Sequence, residues 1–267
     1  VKVFGVEPDD AASMAEAIAA DSRVILNQVG LFADGVAVRQ AGEETFRLCK
    51  SLLDGVVTVS TDEICAAVKD IFEDTRAIAE PSGAVSLAGL KAYVERGDAG
   101  GGALVAINSG ANMNFDRLRH IAERAELGEK REALLSVTIP EKPGSYRRFI
   151  QLLGKRAITE FNYRYADPEK AEIFVGVHLD SGGEDKRQIL ALLAEHGYPV
   201  LDMSDNELAK LHVRYMVGGK TRGMEGERIF RFQFPERPVA LLKFLTSLSG
   251  GWNISLFHYR NHGADYG

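Results

Sequence analysis

One stretch of the sequence decides how its second half folds: residues 133–165 read ALLSVTIPEKPGSYRRFIQLLGKRAITEFNYRY. Aliphatic residues fill its beginning, and a proline-containing turn follows at 140–144. From Gly144 to Leu153 the apolar residues recur at helical spacing, and Ile158 to Tyr165 reads as a strand. The stretch therefore predicts a strand, a turn, an amphipathic helix and a second strand.

The same pattern recurs about 95 residues later, which indicates an internal repeat. Order and spacing agree at three places. These are the motif TIPEKP at 138–143 against QFPERP at 233–238, Phe149 against Phe244, and Asn162-Tyr163-Arg164 against His258-Tyr259-Arg260 after a slip of one residue.

The first copy continues beyond this pattern, with strands predicted at 173–179 and 200–203 and a helix at 186–196. It thereby completes βαββαβ, the ferredoxin-like motif. The second copy ends at Gly267 after only βαβ. Its sheet would have an unpaired edge, so we expect the natural protein to continue past this point.

The first half of the chain, residues 1–120, has the alternation of an α/β domain with a parallel sheet. Strands are predicted at Val1–Val6, Val56–Val59 and Ala103–Ile107, because these runs are aliphatic without polar alternation. One helix begins with the capping-box sequence STDE at 60–63, and another runs from near Pro81 to Gly97. Residues 121–132 are dense in mixed charge and predict a solvated linker helix at a domain boundary.

Composition excludes several classes of partner. The formal charge is −6, from 38 acidic and 32 basic residues of both signs scattered along the chain, so we expect no nucleic-acid partner. No apolar run approaches the roughly 18 residues of a membrane span. Two cysteines, Cys49 and Cys65, fit reduced thiols in a cytoplasmic protein. Because the chain opens on a strand without an initiator methionine, we expect it to be a piece of a longer protein.

One candidate site lies where the predicted strand Ala103–Ile107 gives way to small polar residues. In parallel sheets ligands bind outside the carboxyl ends of strands, which places Ser109 where a cofactor could be met. A tight turn with a helix cap would give the same pattern.

A second candidate site involves Tyr163 and Tyr259, which close corresponding strands and are each followed by arginine. A tyrosine and a guanidinium could hold an amino acid, although ordinary half-buried tyrosines fit the alternation equally well. His258 and His262 have the spacing of a zinc pair but lack the intervening glutamate, so no metal site is predicted.

Several blocks of the sequence resemble the family of biosynthetic threonine dehydratases, and they are spread over more than half of the chain. The blocks are SGANMNF at 109–115, ELGEKREAL at 126–134, TEFNYR at 159–164, KLHVRYMVGG at 210–219, WNISLFHYR at 252–260, DGVAV at 34–38 and EPSGA at 80–84.

The resemblance implies the end of a fold-type-II pyridoxal phosphate (PLP) domain at 1–120, the linker helix at 121–132, and two ACT-like regulatory repeats at 133–215 and 226–267, the second incomplete. Such enzymes convert L-threonine to 2-oxobutanoate and ammonia. Isoleucine inhibits them, valine opposes that inhibition, and they are homotetramers. A free-standing amino-acid-binding module without catalysis is the alternative, and other β-eliminating PLP enzymes are disfavoured by the tandem repeat.

The resemblance also implies roles for particular residues. Ser109 would lie opposite the pyridine nitrogen of PLP, where a neutral hydroxyl leaves the ring a milder electron sink and favours β-elimination. The other implied residues are Gly35 and Val36 in a loop beside the cofactor, Glu80 as a catalytic residue near it, and Tyr163, Tyr259, Arg156 and Leu241 around isoleucine.

The chain departs from the family in two respects. It has neither the cofactor-binding lysine in its Ser-x-Lys-x-Arg-Gly context nor the glycine-rich phosphate loop, so by itself it is expected to be inactive. Relatives bind a cation near the position of Glu7, but Ser13 stands where they have a carboxylate.

Overall fold

The structure is a computed structural model that describes residues 1–215, 226–230, 232, 239–248 and 254–260. The chain divides into two compact units, Val1–Glu129 and Lys130–Gly267. In the parts described, no helix combines the length and the apolar character needed to cross a membrane.

The first unit contains a small parallel sheet of two strands, β1 (Phe4–Pro8) and β2 (Gly55–Val59). The third predicted strand, Ala103–Ile107, was wrong, because this segment is irregular. Val105 is 85% exposed, and none of the described strands pairs with the segment. A strand needs a neighbour for its backbone hydrogen bonds, and aliphatic composition alone does not supply one.

Five α-helices lie in the described residues of the first unit, and they pack on this sheet or on one another. Ser60 Oγ accepts a hydrogen bond from the Glu63 amide at 3.3 Å and the Ser60 amide donates to Glu63 Oε2 at 2.7 Å, so the predicted capping box is confirmed. The helix predicted from Pro81 is confirmed as well. The helices are α1 (Ser13–Ala19), α2 (Glu43–Leu52), α3 (Thr61–Thr75), α4 (Pro81–Glu95) and α5 (Phe115–Gly128).

Helix α5 covers much of the segment that the sequence predicted to be a solvated linker. It packs along α3, with Ile121 and Ala125 buried in the core of the first unit. Arg124 is also buried and forms an ion pair with Asp62 at 2.5 Å. The prediction of a solvated helix was wrong because two small apolar contacts and a paired charge suffice to bury one face.

The second unit is built on an antiparallel sheet with the strand order β6-β3-β5-β4-β7 among its described residues. Helices α6 (Ser145–Leu153) and α7 (Gly182–Glu195) connect strands in the first copy of the repeat, whose observed element order is the predicted βαββαβ. The strands are β3 (Glu132–Pro140), β4 (Ile158–Arg164), β5 (Lys170–His178), β6 (Val200–Asp202) and β7 (Leu256–Arg260).

The core of the second unit lies between one face of this sheet and its helices. Leu135 and Val137 of β3 pack with Phe149 of α6 and Leu193 of α7, all fully buried. The opposite face carries a 3-10 turn at Val213–Tyr215, whose Arg214 forms ion pairs with Glu132 and Glu160, and a short helix, α8 (Glu207–Leu211), precedes this turn in the chain.

The second copy of the repeat is described in part. Its helix is α9 (Ala240–Ser247), and its second strand is β7, which pairs with β4 so that Tyr259 lies opposite Phe161 and Phe257 opposite Tyr163. The repeated motif at 233–238 lies outside the described residues.

Candidate functional site

Three segments of the first unit meet at the beginning of helix α4. The amide of Gly35, from a 3-10 turn at Asp34–Val36, donates to Ser82 Oγ at 2.8 Å. The amide of Glu80 donates to the carbonyl of Gly110 at 3.1 Å. The loops that carry Gly35 and Ser109 are thereby both fixed against the first turn of one helix.

Glycines make this close approach possible. A Cβ atom on Gly83 would lie 2.5 Å from the carbonyl oxygen of Gly110, closer than unbonded atoms come. A Cβ atom on Gly110 would lie 1.9 Å from Glu80 Oε1. The backbone of the loop can therefore lie this close to the helix only because Gly83 lacks a side chain, whereas a side chain at position 110 would displace the Glu80 carboxylate.

Ser109 lies at the exposed surface of this junction, which we call the α4 rim. Its hydroxyl makes no hydrogen bond to the portions of the chain that the structure describes. The chain segment that precedes Ser109 is held by Ser86, whose Oγ donates a hydrogen bond to the carbonyl of Ile107 at 2.7 Å. The rim thus presents a hydroxyl that can donate to or accept from a ligand.

The other residues expected around the cofactor have different surroundings. Gly35 is exposed, whereas the side chain of Val36 packs against the core of the first unit, so Val36 offers a ligand mainly its backbone. Glu80 occupies the N-cap position of α4 in an extended conformation without making a capping hydrogen bond. Its carboxylate is partly buried over Gly110, where it can accept a hydrogen bond or a proton.

The expected regulatory residues lie in the second unit, and Tyr163 is buried there at 3% exposure. Its hydroxyl donates a hydrogen bond to a carboxylate oxygen of Glu141, in the turn after β3. Its ring meets that of Tyr146 edge-on, with the centroids 5.0 Å apart. The Tyr146 hydroxyl is buried and lacks a hydrogen-bond partner among the described atoms.

Burial changes the acidity of this cluster. Burial raises the pKa of the Tyr163 hydroxyl, and the hydrogen bond to Glu141 raises it further. Burial also raises the pKa of Glu141, although the bond from Tyr163 partly offsets the effect. Because the tyrosine stays protonated, it can act here only as a neutral hydrogen-bonding group.

Tyr259 and Leu241 share this core. Both are buried in the same hydrophobic cluster as Tyr163, and Tyr259 is on the same face of the sheet because it lies opposite Phe161. The structure therefore brings three of the four expected regulatory residues into one packed region.

The two arginines considered for effector binding, Arg156 and Arg164, already pair with carboxylates of the protein. Arg156 donates from Nε and Nη2 to Asp185 Oδ1 at 3.0 and 2.5 Å, and from Nη1 to the carbonyl of Leu153 at 3.1 Å. Arg164, which follows Tyr163, forms an ion pair with Glu227. A ligand carboxylate would have to compete with Asp185 for Arg156 and with Glu227 for Arg164.

Sequence reasoning missed Glu141 and Tyr146 as neighbours of Tyr163. A signal for Glu141 was present, because it belongs to the motif that recurs with Glu236 at the matching position. Nothing in the sequence pattern distinguished Tyr146 from an ordinary core aromatic residue.

The carboxylate of Glu7 is hydrogen-bonded to the start of helix α1. Its two carboxylate oxygens accept hydrogen bonds from the amides of Met14 at 2.9 Å and Ala15 at 2.8 Å, in the first turn of α1. Ser13, at the start of that helix, is buried. Among the residues the structure covers, no group of three or more His, Cys, Asp or Glu side chains is arranged to hold a metal ion. His262 lies outside those residues.

This chain is similar to several curated proteins along its whole length. It is 58% identical to the biosynthetic L-threonine dehydratase of Burkholderia multivorans and 57% identical to that of Escherichia coli, over 100% of this chain and 52% of each relative. The mitochondrial threonine dehydratase of Saccharomyces cerevisiae is 48% identical over 100% of this chain and 48% of its own length. The chain thus spans about half the length of the curated relatives it matches.

Among solved structures, the processed form of threonine deaminase isoform 2 from Solanum lycopersicum is 48% identical, with a TM-score of 0.46 over 47% of this chain and 36% of that one. Residues 1–110 match the family of pyridoxal-phosphate-dependent enzymes. Residues 123–213 and 218–267 match the family described as the C-terminal regulatory domain of threonine dehydratase. Because that match covers more than half of the sequence, the chain belongs to the threonine dehydratase family.

Proposed function

We propose that this chain is a part of a PLP-dependent threonine ammonia-lyase of isoleucine biosynthesis, an enzyme that converts L-threonine to 2-oxobutanoate and ammonia and is inhibited by isoleucine. The observation that carries the proposal is the α4 rim, where the loops of Gly35 and Ser109 and the carboxylate of Glu80 converge. The names of relatives at 58% and 57% identity along the whole chain support it.

The rim suits one edge of the cofactor. When bound, PLP would supply an electron-withdrawing ring that makes the Cα proton of an amino acid acidic. Ser109 would hold the ring nitrogen through its exposed hydroxyl, which is neutral and leaves that nitrogen without a carboxylate counter-ion. The hydrogen bond from Gly35 to Ser82 would keep the neighbouring loop in place, with the Val36 backbone beside it.

Glu80 would act at the same rim as the catalytic carboxylate. Its partly buried side chain lies over Gly110, the neighbour of Ser109, where it can hold or move a proton on a bound ligand. The first unit would thus contribute one wall of the active site, within the end of a catalytic domain at 1–120.

The second unit would sense isoleucine, with valine opposing its effect, through two ACT-like repeats at 133–215 and 226–267, the second incomplete, which follow the linker helix at 121–132. Tyr163, Tyr259 and Leu241 would contact the effector from their shared core, and Arg156 would meet its carboxylate by releasing Asp185. The buried Tyr146 hydroxyl offers a hydrogen-bond acceptor inside this region. A cytoplasmic homotetramer completes the proposal.

The experiment is the formation of 2-oxobutanoate from L-threonine by the full-length protein, with and without isoleucine. Ser109→Ala should lower turnover and change the cofactor's absorbance, whereas Ser51→Ala, at an exposed serine of α2, should change neither. Tyr163→Ala should abolish inhibition by isoleucine while turnover persists. Isoleucine binding without any turnover of threonine would instead favour a non-catalytic amino-acid-binding module.

A further inference from the structure

A cluster of buried polar side chains lies on the face of the second unit's sheet that points away from the main core. Glu160 and Asn162 alternate along β4 with the core residues Phe161 and Tyr163, so they project to the other side. Glu160 is 1% exposed, although it carries a carboxylate. Groups of this kind are buried only when they are paired. We call Glu132, Thr159, Glu160, Asn162 and Arg214 the sheet-face cluster.

Arg214 pairs with both carboxylates of the cluster. Its Nε donates to Glu160 Oε2 at 2.9 Å, and its Nη2 donates to the two oxygens of Glu132 at 3.3 and 3.4 Å. Thr159 also donates a hydrogen bond to Glu132. The 3-10 turn that contains Arg214 is thereby fixed to two strands, β3 and β4.

The backbone makes room for this cluster. The register of β4 against β5 shifts between Ile158 and Glu160, which leaves Thr159 as the extra residue of a bulge. Opposite it, a Cβ atom on Gly176 would lie 2.2 Å from Thr159 Oγ1 and 3.0 Å from Glu132 Oε1. The bulge at Thr159 and the missing side chain at Gly176 together leave room for the hydrogen bond between Thr159 and Glu132.

Asn162 joins the cluster to the second copy of the repeat. Its Nδ2 donates to Glu160 Oε1 at 3.2 Å and to the carbonyl of Arg214 at 3.0 Å. Both hydrogens of the amide are therefore used, and the Oδ1 atom, 2.7 Å from His258 Nδ1, must accept. Nδ1 of His258 accordingly donates this hydrogen bond, and β7 is bonded through Asn162 to the whole cluster.

We infer that the sheet-face cluster positions β4 and β7 relative to the start of β3, and that it transmits the effect of the regulatory amino acid without binding it. Glu132 is the third residue of the second unit, just after the chain leaves the first unit at Glu129. Glu160 and Asn162 are positioning residues in this inference, which rests on the proposed regulation by isoleucine.

The physical basis is that β4 has two faces with different tasks. Tyr163 faces the core where the effector is proposed to bind, and its neighbour Asn162 faces the cluster. A shift of β4 would move both together, because a strand is one rigid backbone. Buried charges cannot be left without partners, so Arg214 and Glu132 have to follow Glu160.

The test uses the full-length protein with Glu160→Gln and Glu132→Gln, which keep side-chain volume and remove one buried charge each. Isoleucine binding is measured by calorimetry, and inhibition by threonine turnover. We expect the dissociation constant to stay within about threefold of wild type, while the fraction of turnover that saturating isoleucine removes falls about threefold or more, because weaker coupling limits the extent of inhibition. Glu172→Gln, an exposed carboxylate on the same sheet, should change neither value.

Two results would overturn the inference: inhibition that is restored in full once enough isoleucine is added to saturate the variant, or no change in either binding or inhibition. If the variants do not fold, hydrogen exchange of the wild-type protein decides. Isoleucine should change the protection of amides at 132–135 and 212–215, and unchanged exchange at both places contradicts the inference. A wild-type protein that neither binds isoleucine nor responds to it would sink the proposed regulation, and this inference with it.

Discussion

The α4 rim and the tyrosine core are two candidate sites built in opposite ways. The rim is assembled from backbone and small residues, and its key hydroxyl, on Ser109, is exposed. The core around Tyr163 and Tyr259 consists of large side chains that also hold the second unit together. A change of the Ser109 hydroxyl can therefore alter chemistry with little effect on stability, whereas a change in the tyrosine core affects regulation and folding together.

The largest expected effect is on the stability of the second unit. Phe161→Ala removes a fully buried ring that contacts Tyr146, Phe149 and Phe257, and should lower the free energy of unfolding by about 3–5 kcal/mol. Urea unfolding followed by far-ultraviolet circular dichroism measures this loss. A loss below about 1 kcal/mol would show that this core is not tightly packed.

A smaller effect is expected in the first unit for a change at the rim's backbone. Gly83→Ala places a Cβ atom 2.5 Å from the carbonyl oxygen and 2.8 Å from the amide nitrogen of Gly110, so one loop must move, at a cost of about 1–3 kcal/mol. Hydrogen exchange of α4 amides measures it. Gly100→Ala, where no atom lies within 4 Å of the new Cβ, is the matched control and should be close to neutral. Equal effects of the two would mean that the close contact is not required.

The ion pair of Arg156 with Asp185 should contribute about 1 kcal/mol near pH 6. Hydrogen bonds from Arg156 hold the pKa of Asp185 below its ordinary value of 3.8. The contribution is therefore complete above that value and is lost as the pH falls through the lowered pKa. Urea unfolding midpoints of wild type and Arg156→Gln should differ at pH 6 and converge toward pH 3. A difference that stays constant would mean that the pair is not the source.

The smallest effect on stability is expected for Ser109→Ala. The hydroxyl is exposed and makes no hydrogen bond within the described chain, so the free energy of unfolding should change by less than about 0.5 kcal/mol. Thermal unfolding of the protein without added cofactor provides the measurement. A larger change would place Ser109 in the support of the fold and would remove the contrast between the two sites.

Local signals in the sequence predicted part of the fold well. The capping box at Ser60 and Glu63 forms within one turn of chain, and the strand and helix order of 133–203 follows from periodicity, so neither depends on distant residues. The segment Ala103–Ile107 and helix α5 were misjudged because their state depends on which neighbour covers them.

The candidate sites, like the fold, were predicted from the sequence only where the signal was local. The sequence pointed to Ser109 and Tyr163 through a strand-end pattern and a repeat, but not to the partners that define their chemistry. Glu160 is a buried carboxylate that alternation alone would place in solvent, and its charge is paired with the distant Arg214. Pairings across about 50 residues of chain leave no local pattern.

The hydrogen bonds that the Glu7 carboxylate already makes have a consequence for ion binding at this position. Both of its oxygens already hold the amides that open helix α1. An ion that drew this carboxylate away would leave those two amides unsatisfied and fray the helix from its first turn. Holding that first turn and coordinating an ion are therefore competing uses of the same two oxygens.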